Sequence, residues 1–296
     1  MVLFAALSED GKISLLKFEN RNIYKHTIDI NNIKCIYLKD DILFAVSNNT
    51  IIYMYQIIDY NDLNLINENN VNYNIFDINC YKPKNKLIIA GFNGIEDLDL
   101  ITDVKSRVLT TENVVASIKI SDNNNYLLFQ TFNSINLYEI TDEYTLKLKN
   151  EISDINSKYI TFSPNFRIDE DGYQLDKYAR YIVIKEYMKP NIYVIYFNKD
   201  MSIRFKALLQ GTSTNVDFLN GNQILVYGNL NKLICWDIEF NEVVYRFEFN
   251  SIILLIKIIG NIICVYLENK NIIFIDYELK EIILEYNNGE KLKNLI

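Results

Sequence analysis

From one end to the other, the chain alternates short apolar runs of about five to eight residues with clusters of Asn, Asp, Lys and Gly. The runs favour Ile, Val, Tyr and Phe. Apolar residues hardly recur at i, i+3, i+4 and i+7, the spacing by which a helix presents one buried face. Short β-branched and aromatic runs bounded by turn formers are instead the signature of strands. The sequence predicts an all-β protein with no helix longer than about two turns.

The runs return in a fixed order of strand, turn, strand, turn, strand. One copy reads 86–91 (KLIIAG), 95–101 (IEDLDLI) and 106–111; others are 126–130, 134–140 and 145–151, or 262–267, 271–277 and 282–286. Residues central to the copies are Leu15, Tyr53, Leu98, Leu137, Val194, Cys235 and Phe274, spaced about 38, 45, 39, 57, 41 and 39 apart. A period near 40–45 residues is that of a four-stranded propeller blade. Seven copies predict a seven-bladed β-propeller, with blades at 1–29 plus 287–296, 30–70, 71–112, 113–152, 153–209, 210–249 and 250–286. Inner strands covered on both faces by neighbouring blades should read as continuous apolar runs, and 255–259, 42–46 and 192–197 do.

The first copy lacks a first strand, whereas the last is followed by a spare strand-like run, 291–296 (KLKNLI). An open blade edge would expose unpaired backbone, so the spare run is expected to close the ring beside 1–7 as the first strand of blade 1.

At 233–238 the sequence reads LICWDI, and Trp236-Asp237 resembles the dipeptide that ends the third strand of a WD repeat. Tyr138-Glu139, Tyr55-Gln56 and Asp276-Tyr277 stand at related places without it. The chain is similar to WD-repeat propellers in period throughout and in motif in one blade. The Gly-His pair usual in that family is missing, since the single histidine is His26. The resemblance implies a structural role for Trp236 and Asp237 and a non-catalytic scaffold that binds proteins of a larger assembly. Such relatives suggest ribosome-associated, nuclear-pore or coat, or RNA-modification subunits. The alternative is an enzyme or small-ligand binder using the central channel, and a phosphoinositide-binding propeller stands behind both because no adjacent arginines occur.

Composition narrows the partners. A hydrophobic content of 49% with only 9 Gly and 3 Pro suits a packed core, and Asn is expected to take over turn positions from Gly. The net charge of −8 disfavours nucleic acid or an anionic membrane as the main partner, so no sequence-specific nucleic-acid contact is expected, although the assembly could be a ribonucleoprotein. The longest apolar stretch, 252–259, is interrupted by Lys257 and is short of the ~20 residues of a membrane span. The four cysteines form no C-x-x-C pair and no signal segment precedes the first strand, which points to the cytoplasm or nucleus.

No catalytic, metal or cofactor set is expected: one histidine excludes two-His metal sites, and phosphate-binding glycine motifs are absent. The run Asp169-Glu170-Asp171-Gly172 lacks the acids that an EF-hand loop needs, with Arg167 and Tyr178 in their places. The lengthened spacing comes from an insertion at 164–177 in blade 5. Its Phe166, Arg167, Asp169, Glu170, Asp171 and Tyr173 are candidate partner contacts, as are Lys82 and Lys84 in a basic turn.

Overall fold

The structure, a computed structural model, describes residues 2–28, 30, 32–92, 94–164, 166, 181–197, 203–219 and 224–296. Its described strands form seven four-stranded antiparallel sheets, one per blade. Blade 1 contains β1 (Val2–Ser8), β2 (Ile13–Glu19) and β3 (Asn22–Ile28). Blade 2 contains β4 (Ile33–Lys39), β5 (Ile42–Ser47), β6 (Ile51–Asp59) and β7 (Asp62–Asn70). Blade 3 has β8 (Ile75–Tyr81), β9 (Lys86–Gly91), β10 (Gly94–Asp99) and β11 (Lys105–Thr110). In blade 4 lie β12 (Ser117–Ile120), β13 (Tyr126–Gln130), β14 (Ser134–Ile140) and β15 (Leu146–Ser153). Blade 5 has β16 (Ser157–Phe162), β17 (Tyr181–Glu186), β18 (Asn191–Phe197) and β19 (Ile203–Gln210). Blade 6 contains β20 (Val216–Phe218), β21 (Ile224–Asn229), β22 (Lys232–Asp237) and β23 (Glu242–Glu248). Blade 7 has β24 (Ile253–Ile259), β25 (Ile262–Leu267), β26 (Asn271–Asp276) and β27 (Glu281–Asn287), after which β28 (Leu292–Leu295) returns to blade 1. The only helical element among the described residues is a 3-10 turn, Lys82–Lys84. No helix among them is long and apolar enough to cross a membrane.

The ring closes as the spare run suggested. β28 pairs antiparallel with β1, placing Leu295 opposite Ala6 and Leu292 opposite Ser8. The Ala5 amide donates to the Ile296 carbonyl at 2.8 Å, and the Ile296 amide donates back at 2.9 Å. The chain's two ends thus share one sheet, in which β28 covers the inner edge of β1.

The apolar runs do not meet in one central core. They form seven clusters, each wedged between two neighbouring blades. Val226 and Cys235 of blade 6 meet Ile256 and Val265 of blade 7, for example, and Phe4 and Leu16 of blade 1 meet Cys264 and Phe274 across the seam. A second strand such as β13 has a wedge on each side and is buried throughout, whereas the outermost strands alternate with solvent.

Turn chemistry falls largely to asparagine. Asn20, Asn32, Asn48, Asn49, Asn85, Asn124 and Asn241 take the left-handed conformation, against four glycines with positive φ among the described residues. Asn tolerates this region because its short amide bonds the local backbone. Asp237 caps the turn after β22, accepting from the amides of Glu239 (2.8 Å) and Phe240 (3.0 Å). Asp99 and Asp276 do the same after β10 and β26. The aspartate role of the Trp-Asp pair therefore recurs where the tryptophan does not. Trp236 itself is buried between blades 5 and 6.

Candidate interaction surface

The first strand of each blade, with β28 serving blade 1, lines a central channel holding a cavity of about 480 Å³. Side chains on these strands tie one blade to the next. Asp77 Oδ2 accepts from Ser117 Oγ (2.8 Å) and the Ile118 amide (3.0 Å), joining blade 3 to blade 4. Asp217 Oδ2 accepts from the Ile258 amide at 3.1 Å, and Asn215 Oδ1 from that of Ile256 at 2.9 Å, joining blade 6 to blade 7. Lys257 lies 3.7 Å from Asp217, and Lys119 stands over the Tyr159 ring at 5.7 Å. Burial, reinforced by Asp77, pushes the Cys35 thiol well above its ordinary range, which leaves it a poor nucleophile.

A bulge recurs near the start of these strands. The pairing steps from Ile33 to Cys35, Ile75 to Asp77, Ser157 to Tyr159, Ile253 to Leu255, and Leu292 to Asn294. It skips Lys34, Phe76, Lys158, Leu254 and Lys293. A bulge re-aims the skipped side chain away from the regular pleat. Five blades thereby set an extra residue at one end of the channel, three of them lysines.

That end opens on what we term the link face, formed by the connections between blades and by the turns between second and third strands. The opposite, hairpin face holds the remaining turns and is rich in acids such as Asp40, Asp41, Asp142, Glu143, Glu239 and Glu278. On the link face, the second-to-third turns of four adjacent blades carry exposed apolar residues: Phe92, Phe132, Met188 and Leu230. Blades 7, 1 and 2 have Asn269-Lys270, Asp10-Gly11 and Asn48-Asn49 there instead. Phe92 meets Phe76 edge to face at 5.2 Å between centroids, so the apolar arc reaches the channel mouth. Met188 and Leu230 adopt φ of 61° and 55°. In this conformation an apolar L residue is disfavoured and a local polar side chain is the usual choice.

Beside this arc lies a cleft of about 370 Å³, lined by Lys158, Lys185, Glu186, Met188, Lys189 and the 211–213 link. Lys185 is only 4% exposed, and its ammonium donates to the backbone carbonyls of Glu186 and Lys189. Burial first, then the neighbouring Lys158, pulls its pKa down. Lys158 has no hydrogen-bond or ion-pair partner among the described residues. The Glu186 carboxylate is occupied by Lys189 Nζ (2.5 Å), Asn191 (2.7 Å) and Tyr193 (2.9 Å).

The residues singled out from sequence fall elsewhere. Phe166, expected as an exposed contact, is instead 0% exposed and packs on Phe162 (4.6 Å), Tyr126 (5.2 Å) and Phe197 (6.2 Å) in the wedge between blades 4 and 5. Asn123 holds its carbonyl at 2.9 Å. Arg167, Asp169, Glu170, Asp171 and Tyr173 lie outside the described residues. Lys82 and Lys84 are on the hairpin face, where Lys82 pairs with Asp40 of blade 2 at 2.5 Å. The link-face arc escaped sequence reading; its signal was Phe, Met or Leu at turn positions where the other blades carry Asn or Gly.

No family model and no curated protein sequence matches the chain. Its fold is similar to that of the computationally designed Ika8 protein, at 14% identity and TM-score 0.67, covering 99% of this chain and 86% of that one. The Cps50 (Swd1) β-propeller domain of Myceliophteria thermophila is 12% identical, with TM-score 0.65 over 90% of this chain and 89% of that one. A functionally unknown protein from Desulfotomaculum acetoxidans DSM 771 is 8% identical, with TM-score 0.66 over 100% and 95%. At such identities the likeness is one of fold.

Proposed function

We propose that the chain is a non-catalytic propeller scaffold that binds other proteins through its link face, as a subunit of a larger cytoplasmic or nuclear assembly. The observation that carries this reading is the arc of Phe92, Phe132, Met188 and Leu230 on four adjacent blades. Exposed apolar residues scattered singly need no explanation, whereas a run of them on consecutive turns, two in a disfavoured conformation, is a feature of binding surfaces. A propeller displays such turns from a rigid frame, and the likeness to solved propellers supports that frame.

The test replaces these four residues together with Asn and compares complexes recovered by affinity purification from native extract. Partners recovered with the native chain should be lost with the variant while the melting temperature holds. Unchanged recovery would move the interface away from this face. The channel cavity of about 480 Å³, with Asp77, Lys119 and Lys257 along it, supports a second reading as a small-ligand site. A thermal-shift screen of metabolites separates the two, since a channel ligand would raise the melting temperature of both proteins equally.

A further inference from the structure

We infer that the link face of blades 4 to 6 receives an acidic segment of a partner protein, its carboxylates in the Lys158–Lys185–Lys189 cleft and its apolar side chains over Phe132, Met188 and Leu230. This rests on the scaffold reading and adds the partner's chemistry and its seat.

The cleft gathers three lysines around one carboxylate, Glu186, which is paired with Lys189. Lys158 has no acceptor among the described residues and lines the cleft, at the position that the β16–β17 pairing skips. Lys185 is buried next to it with only backbone carbonyls as partners. Burial first, and repulsion from the neighbouring Lys158 second, disfavour the charge on Lys185. The one carboxylate of the cleft, Glu186, already holds three donors of its own. An incoming carboxylate between Lys158 and Lys185 turns the repulsion into two charge-assisted hydrogen bonds.

The rest of the face fits the same occupant. Lys34 and Lys293 stand at the corresponding bulge positions of blades 2 and 1, so basic charge continues around the mouth of an otherwise acidic protein. Opposite potentials speed the encounter and fix its orientation. Met188, 85% exposed, rims the cleft, and Leu230 and Phe132 flank it on the next blades. A purely polyanionic ligand would leave these side chains in water. A peptide combining acids with bulky apolar residues uses both features, and two of these apolar tips, Met188 and Leu230, hold conformations that local turn chemistry disfavours.

The experiment selects a displayed random-peptide library on the native protein and measures the enriched peptides by fluorescence anisotropy. Enriched sequences should combine Asp or Glu with Phe, Leu, Ile, Met or Trp. Their affinity should fall at least about tenfold on Lys158→Glu and hold on Lys158→Arg. It should also weaken as salt rises from about 0.15 to 0.5 M. Met188→Asn with Leu230→Asn should weaken the same peptides. Lys158 is exposed and unpaired, so its exchange leaves folding intact, which a thermal melt checks. Enriched peptides without acids, or with affinities indifferent to Lys158→Glu, overturn this surface while the scaffold reading stands. No enrichment at all counts against both. Inorganic phosphate that competes at micromolar concentration overturns the carboxylate assignment and points to a phosphorylated ligand.

Discussion

Removing residues 291–296 strikes the one blade built from both ends of the chain. β28 buries Leu292 and Leu295 against the seam cluster, with Leu295 2% exposed. Burial of one such side chain is worth about 1.5–3 kcal/mol, so the pair accounts for about 3–6. The Ala5–Ile296 exchange supplies two backbone bonds, and the Glu9 amide gives a third to the Lys291 carbonyl at 2.8 Å. At a net ~1 kcal/mol each, these bring the loss to about 6–9 kcal/mol, comparable with a typical domain stability of about 5–15. With about 2–4 °C of melting temperature per kcal/mol, the midpoint should fall by at least about 12 °C. Far-UV circular dichroism and the fluorescence of Trp236, the single tryptophan, give two probes of the same melt. Trp236 lies in blade 6, away from the deletion, so coincident curves would show that losing the seam unfolds the whole ring. A synthetic 287–296 peptide added in trans should restore part of the loss by strand addition. A truncated protein that melts where the full chain does would refute the closure argument and the energetics built on it.

Three further outcomes follow. Phe166→Ala should lower stability by about 3–5 kcal/mol, measured by urea denaturation, because the ring fills a wedge that cannot collapse; an unchanged midpoint would return Phe166 to the surface. Gly94→Ala should lower it by at least about 1–3 kcal/mol, since φ is +124° and the new Cβ would lie 2.0 Å from the Leu109 carbonyl oxygen; equal melting temperatures would contradict that geometry. Lys189 first, then Asn191 and Tyr193, hold the Glu186 carboxyl below its ordinary 4.5. Its contribution is therefore present above that value and lost as pH falls through the lower folded value. The melting-temperature gap between native protein and Glu186→Gln should be open at pH 6 and close toward pH 3, and a gap that widens on acidification would reverse the sign.

The blades were legible because their physics is local and repeated. Runs such as 87–91 and 262–267 are apolar throughout because wedges cover both faces of the strand, and Asn-rich turns separate them at a fixed period. Closure was legible from the unmatched run at 291–296. Phe166 was misread because it sits in the insertion between Asn165 and Arg167, a few residues before the acids at 169–171, while the residues that bury it, Tyr126 and Phe197, come from other strands. The binding face was harder still. Met188 and Leu230 look like core residues in a one-dimensional reading, and only the turn geometry puts them outside. The bulges that expose Lys34, Lys158 and Lys293 depend on register with a partner strand, which no pattern of hydrophobic positions encodes.

In an open stack of repeats, the end units have one neighbour and fray first. The pairing of β28 with β1 removes that boundary: every blade is clamped by two wedges, and none can peel away without breaking both. Turns on neighbouring blades therefore keep a fixed spacing. A partner meeting the arc from Phe92 to Leu230 finds its anchor points already placed, and the entropy of arranging them was spent when the ring shut.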